Sequence, residues 1–320
     1  MSDDQAPPHA AAPTVSIVIP AYNASGLLEA AIGSIAAQTL RDLEVILVDD
    51  ASSDDTAAQA RTLLARHGLA HSVIRLEANA GPAAARNRGV AAARGTYVAF
   101  LDADDEWLPD KLRLQVALME ANPKITLCGC QADWVDGSGA VIGPLYQDLP
   151  TLLPEGWKPL LWNCYVATPC AMARRRDLGT QPFDPLLRIG EDRDLWIKLA
   201  SNGIVGLVPE KLVNIRVSAA SYMSRHTALL TQYTKPMLEK HLAAFTDTLS
   251  LRDRMRAIGS LHSQIGKGLS GTAGHYLKSS RHLLMAALLG FRPMDSLRHL
   301  LFTAPLVSPL KRYVKRVLAG

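Results

Sequence analysis

No stretch of about 18 apolar residues runs uninterrupted in the sequence, so no helix long enough to span a bilayer is expected. The strongest apolar pieces, HLLMAALLG and LLFTAPLVSPL, lie near the C-terminus; both are short, and two prolines break the second. A secretory signal is missing too. The opening MSDDQAPPHAAAPT is acidic, Pro/Ala-rich and without an apolar centre, so residues 1–13 read as a disordered leader. Cysteine is scarce: Cys128, Cys130, Cys164 and Cys170 are the four in the chain. Cys128 and Cys130 stand two apart on an apparent strand, facing one side, with no companion ligands at metal-binding spacing. Buried free thiols in a reducing cytoplasm are the expectation. Acids nearly vanish after residue 250, where twelve Lys/Arg face only Asp253 and Asp295. That tail carries +10, and the chain's +4 leaves −6 on the first 250 residues. The tail holds no recognised nucleic-acid module and few aromatics, so no nucleic-acid partner is expected.

What is present is ordinary globular material. In 320 residues, 48% are hydrophobic and 20% charged, enough core for one large domain with an appendage or for two modest domains. Short apolar runs alternate with helical patterns. VSIVI (15–19), EVILV (44–48), HSVIRL and TYVAFL (96–101) read as buried strands. Between them, LLEAAIGSIAAQ (27–38) has a helical period with Ser25 as its expected cap. DDTAAQARTLLARHG (54–68) opens on acids and closes on His-Gly, and GPAAARNRGVAAARG opens on Gly-Pro. A further helix is expected from about Pro109 to Ala121. The alternation predicts an α/β fold with a mainly parallel sheet covered on both faces by helices. ITLCGCQADWV (125–135) is a strand; DGSG (136–139) signals a hairpin, and residues 136–185 are otherwise irregular. EDRDLWIKLASNG (191–203) predicts a helix, 205–217 a strand region, and the chain from about 227 onward amphipathic helices.

Parallel α/β sheets bind ligands at the carboxyl ends of their strands. The first strand here ends at Pro20-Ala21-Tyr22-Asn23, the second at Asp49-Asp50 and the fourth at Asp102-Ala103-Asp104-Asp105. Acids gathered at strand ends are costly unless something positive is bound. Asp102, Asp104 and Asp105 suit a hard divalent cation that bridges to phosphate oxygens; the plain alternative is that they cap the helix near Pro109. Asp50 can accept a base N–H or serve as a turn residue, while Asp54 and Asp55 read as turn and cap. Tyr22 can stack on a base or pack in its loop. Arg86 can reach phosphate, or belong to an ordinary helix with solvated arginines. Glu191-Asp192 opens a helix, where the dipole favours acids, and a carboxylate there can also serve as a general base.

Taken together, VSIVIPAYN, EVILVDDASSDDT, NAGPAAARNRG, VAFLDADDEWLP and GEDRDLWIKLA resemble, in order and spacing, the family-two inverting glycosyltransferases of bacterial polysaccharide and cell-envelope type. The resemblance spans about residues 14–220. It implies a GT-A fold over 14–222 with a basic helical region at 223–320, a nucleotide-sugar donor (a UDP-sugar favoured) and a divalent Mn²⁺ or Mg²⁺. It further implies a saccharide or lipid-linked acceptor and inversion at the anomeric carbon. Pro20, Tyr22, Asp50, Arg86 and Asp102 would then sit at the donor nucleotide, Asp104 and Asp102 at the metal, and Asp192 would be the catalytic base. Asp105 and Glu191 are further candidates, and Trp196 is expected to pack. The Gln-x-x-Arg-Trp of processive members is missing, which favours transfer of a single sugar or a short run. Where many relatives carry a Tyr/Arg–His stretch, this chain has Asn214-Ile215-Arg216-Val217-Ser218, with His226 further on. The basic tail fits either an interfacial helix on an anionic membrane or a helical subdomain packed on the core. The location expected is cytoplasmic, with the inner membrane face as a peripheral site. A sugar nucleotidyltransferase would need a Gly-rich phosphate loop where this chain has PAYNASG. A non-catalytic binding module of transferase-like fold is disfavoured by the full set of acids.

Overall fold

The structure, a computed structural model, describes residues 12–145, 150–217, 226–270 and 276–303. Most of the expected leader and the last pieces of the basic tail, including YVKRVL, lie outside the described residues. So do Ser218 and the side chain of His226. The chain divides into two compact units, one of residues 1–160 with 164–218 and one of 161–163 with 219–320.

The first unit is built on the alternation legible in the sequence: β1 (Val15–Ala21), α1 (Leu28–Ala36), β2 (Leu43–Asp49), α2 (Thr56–Arg66), β3 (His71–Arg75), α3 (Pro82–Ala92) and β4 (Tyr97–Phe100). β2 is buried at every position and β1 at all but Pro20, as continuous Val/Ile/Leu runs require when helices cover both faces. Leu28, Ala31, Ile32 and Ile35 form the buried stripe of α1. Ser25 does not cap that helix: Leu27 holds the N-cap position without a side-chain bond, and the Ser25 N–H donates to Asp54 Oδ2 at 3.2 Å. α3 lies so close to β1 that a Cβ on Gly89 would stand 2.4 Å from Val18 Cγ1, which explains a glycine in mid-helix.

Past β4 come β5 (Glu106–Trp107), α4 (Lys111–Ala121), β6 (Ile125–Val135), β7 (Val141–Pro144), β8 (Leu152–Leu153), α5 (Trp157–Leu160), β9 (Met172–Arg174), α6 (Arg175–Leu178), α7 (Glu191–Ser201) and β10 (Ile204–Arg216). The ten described strands make one sheet whose main path runs β3-β2-β1-β4-β9-β6-β10-β5. From β3 to β4 every pairing is parallel. Beyond β4 the sheet is mixed: β9 runs antiparallel to both β4 and β6, while β10 is parallel to β6. The irregular stretch thus contains a central strand, only three residues long, which no periodicity could announce. The DGSG turn does form a hairpin, β6–β7. Phe100, Phe183 and Trp196 pack edge to face and tilted, with centroids 5.3–6.2 Å apart, and Trp196 is fully buried as expected of a packing residue.

The second unit is helical. α8 (His226–Leu229) passes through one π turn into α9 (Lys235–Ala244), and α10 (Leu251–Ser270), α11 (Tyr276–Leu288) and α12 (Pro293–Thr303) follow. α10 buries Ala257, Leu261 and Ile265, and α11 packs closely against it. No described helix is long and apolar enough to cross a membrane.

Candidate active site

The carboxyl ends of β1, β2 and β4 open into a cleft of about 450 Å³. Its wall includes Pro20, Tyr22, Asp50, Asn79, Arg86, Asp102 and Asp104, so six residues singled out in the sequence meet there. Tyr22, just past β1, is 53% exposed, an unpacked aromatic at the mouth. Asn23, two residues past β1, and Ala51, directly after the Asp49-Asp50 pair, hold positive φ of 49° and 58°. The left-handed region is uncommon for alanine, so the surrounding bonds must hold the turn. They do so from several sides: Asn23 N–H to Ser52 Oγ at 2.9 Å, Ala24 N–H to Thr56 Oγ1 at 2.8 Å, and Ser52 N–H to Asp49 Oδ1 at 3.0 Å. Asp54 joins the same loop through Thr56, which holds its carboxyl down at about 2, and so serves as the turn residue expected.

Asp50 is buried, and each of its oxygens accepts one backbone N–H, from Ala80 and Gly81, both at 2.8 Å. Gly81, at φ +86°, permits the turn that presents both amides before Pro82 opens α3. Asp50 thus fixes the loop that floors the cleft while keeping a face on it.

Arg86 is the residue whose surroundings the sequence could not reveal. It is buried rather than solvated, whereas Arg88, two positions on, is exposed. Its Nη2 donates to Asp102 Oδ1 and its Nη1 to Glu191 Oε1, both at 2.8 Å, so one guanidinium ties the end of β4 to the start of α7. Burial opposes its charge, but Asp102 and Glu191 outweigh that and raise its pKa. Burial and then neighbouring Asp192 raise the Glu191 carboxyl, against the pull of Arg86.

Asp192 is not part of the cleft wall. It sits beside Glu191 in the first turn of α7, where Thr168 Oγ1 donates to its Oδ2 at 3.1 Å and the Arg193 N–H to its Oδ1 at 2.7 Å. Thr168 belongs to a three-residue 3₁₀ turn in the irregular segment, and neither it nor Asn79 stood out in the sequence. Asn87 adds a third tie: its side-chain amide pairs with both the N–H and the carbonyl of Phe183, at 2.9 and 2.8 Å.

Asp102 and Asp104 do not cap α4, whose N-cap position is Asp110. Asp105 turns away from the cleft wall and accepts the Arg216 N–H at 2.9 Å, while Arg216 Nη2 pairs with Glu106 at 2.7 Å. Burial first, and then the charge of Asp102, raise the carboxyls of Asp104 and Asp105. Among the described residues no three His, Cys, Asp or Glu side chains converge into a complete metal cage. Asp104, crowded by burial and by the like charge of Asp102, nevertheless fits together with Asp102 a hard cation that takes its other ligands from phosphate oxygens and water. Asp102 and Asp104 are the residues that would hold it. Among the described residues none of the four cysteines is in a disulfide, three of them are buried, and burial pushes the Cys128 thiol up to about 12, far from a ligating thiolate.

The glycosyl transferase family 2 model matches residues 16–179, half of the chain. The chain belongs to glycosyltransferase family 2. It is 31% identical over 228 residues to the amylovoran biosynthesis glycosyltransferase AmsB of Erwinia amylovora, covering 68% of this chain and 74% of that protein. An uncharacterized glycosyltransferase of Rickettsia conorii is 31% identical over 209 residues, and there the match spans 65% of this chain but only a third of the relative's length (33%). Among solved structures, the mannosyltransferase PcManGT from Pyrobaculum calidifontis, in complex with GDP-Man and Mn²⁺, superposes with a TM-score of 0.56 at 22% identity, covering 96% of this chain and 90% of that one. S. aureus TarS in complex with UDP-GlcNAc does so with a TM-score of 0.55 at 16% identity, covering 93% and 92%. The fold is therefore the GT-A fold.

Proposed function

We propose that this glycosyltransferase moves a sugar, with inversion at the anomeric carbon, from a nucleoside-diphosphate donor to a hydroxyl of a saccharide or lipid-linked saccharide. The observation that carries the reading is the ion-paired chain Asp102–Arg86–Glu191, which joins the strand-end acids of the cleft to the helix start bearing Asp192. Inverting transfer needs these two parts on opposite sides of one carbon. Asp192, oriented by Thr168, takes the proton of the acceptor hydroxyl. The acceptor oxygen forms its bond to the anomeric carbon as the bond from that carbon to the diphosphate oxygen breaks. A divalent cation on Asp102 and Asp104, when bound, offsets the charge on the leaving diphosphate. Tyr22 offers a ring, and Asp50 its remaining acceptor capacity, to the base. The structural neighbours crystallised with UDP-GlcNAc and with GDP-Man and Mn²⁺ support a nucleotide-sugar donor and a divalent ion. A UDP-sugar is the first donor to try. The similarity to AmsB supports an acceptor belonging to a surface polysaccharide.

The test is a panel of UDP-, GDP- and TDP-sugars with Mn²⁺ or Mg²⁺, read by thermal shift and by nucleoside-diphosphate release. Asp192→Asn is expected to keep donor binding and to lose turnover by about 10² or more; wild-type turnover in that variant removes the base assignment. Asp104→Ala is expected to weaken cation-dependent donor binding. Undiminished activity of the wild type in chelator removes the cation from the reading.

A further inference from the structure

We propose that the outward face of α11, continued at the start of α12, docks on an anionic lipid bilayer. The proposal goes beyond the transfer chemistry and depends on none of its assignments. α11 is apolar on two sides. Ser279, Leu283 and Ala286 are buried on one of them. There a Cβ on Gly266 of α10 would lie 2.8 Å from Leu283 Cγ, and the Ser279 hydroxyl donates to the Gly266 carbonyl at 2.8 Å. At 3.6 residues per turn, Leu277, Leu284 and Leu288 fall within about 40° of one another on the opposite side. They are 81%, 45% and 76% exposed, and Met285 beside them is 38% exposed. On α12, Met294 and Leu297 stand three residues apart and are exposed too. Single exposed leucines are common, but four large apolar side chains on one side of α11, with two more exposed at the start of α12, call for an occupant.

Charge selects that occupant. Lys278 and Arg281 on α11, Arg298 on α12 and Arg292 in the turn between them are exposed, and between residues 276 and 303 Asp295 is the only acid. Residues 304–320 add Lys311, Arg312, Lys315 and Arg316 and no acid, so the sequence stays basic past α12. A second copy docked through the same face would bring the same basic charge and meet like-charge repulsion. A bilayer with anionic headgroups satisfies both features together: the leucines reach the acyl boundary while the cations stay among the phosphates.

The experiment is co-sedimentation of the full chain with phosphatidylcholine vesicles with and without phosphatidylglycerol, at low and high salt. Binding is expected to the phosphatidylglycerol vesicles and to be reversed by salt. Leu284→Glu with Leu288→Glu, both at exposed positions and with retained helicity checked by circular dichroism, is expected to lower the partition by roughly tenfold or more. Four outcomes each overturn the proposal. They are no binding by the wild type, equal binding to neutral vesicles, undiminished binding by the double variant, and self-association without vesicle binding that the double variant abolishes.

Discussion

Arg86 shows what one buried cation does when both of its terminal amino groups are engaged by protein carboxylates. Its side chain is 6% exposed, against 29% for Asp102 and 10% for Glu191. Removing it leaves two partly desolvated acids facing each other across the gap. Arg86→Met is expected to destabilise the first unit by about 3 kcal/mol or more. Adding Glu191→Gln should recover part of that loss, because one of the stranded charges is then gone. Urea unfolding of the two single variants and the double variant gives the coupling as a cycle; strictly additive losses would mean that the pair contributes nothing of its own. The fork also explains why lysine is a poor substitute: a single ammonium lacks the planar geometry that reaches two carboxylates in different directions. Asp102, Asp104 and Asp192 were legible in the sequence because each directly follows an apolar strand or opens a helix, places where the chain's own pattern points. Arg86 was singled out too, but its burial and its ion pairs were not legible, since its partner Glu191 lies 105 residues away and nothing local to α3 marks a buried arginine.

At the scale of elements, the parallel half of the sheet follows from strands apolar at nearly every position and helices with buried stripes. Its geometry rests on tight approaches such as that of α3 to β1. Gly89→Ala would drive a methyl into Val18, and the helix that carries Arg86 and Asn87 would have to lift. A loss of about 1–3 kcal/mol is expected. Val18→Ala in the same chain makes room, so thermal melts should find the double variant no worse than Val18→Ala alone. Failure of that rescue would place the cost of Gly89→Ala in something other than the contact with β1. The mixed half was poorly legible for an equally physical reason. β8 and β9 span two and three residues, too few for a period to register, and their places are set by partners far away in the chain. Thr168 is hidden in the same stretch: what makes it matter is the single bond to Asp192, not any feature of the ATPC sequence around it.

At the scale of the whole molecule, the helical unit carries a pH dependence of its own. His262 on α10 and His282 on α11 share a hydrogen bond between their Nδ1 atoms at 2.9 Å, which requires at least one neutral ring. Burial pulls both below 6.5; the charge of His282 and then Arg281 adds to this at His262, and Arg281 adds to it at His282. The unfolded chain therefore takes up protons first as pH falls through about 6.5, and stability declines from there until the folded-state values are passed. Melting followed by circular dichroism is expected to show the helices less stable at pH 5.5 than at pH 7.5, with the difference shrinking in His282→Gln. An unchanged pH profile in that variant would assign the dependence to other groups. The short strand β9 has a different consequence, one of timing. Among the described residues Met172–Arg174 is the strand that lies between β4 and β6, with Tyr97 paired to Arg174 and Leu127 to Ala173. Contacts so distant along the chain form late, because the loop they close must be ordered before any pairing rewards it. A polypeptide emerging from its N-terminus thus displays the acids of β2 and β4 long before the strand that joins the sheet and the helix that bears Asp192. The growing chain presents the cleft acids first, and Asp192, the proposed base, only once α7 has been made.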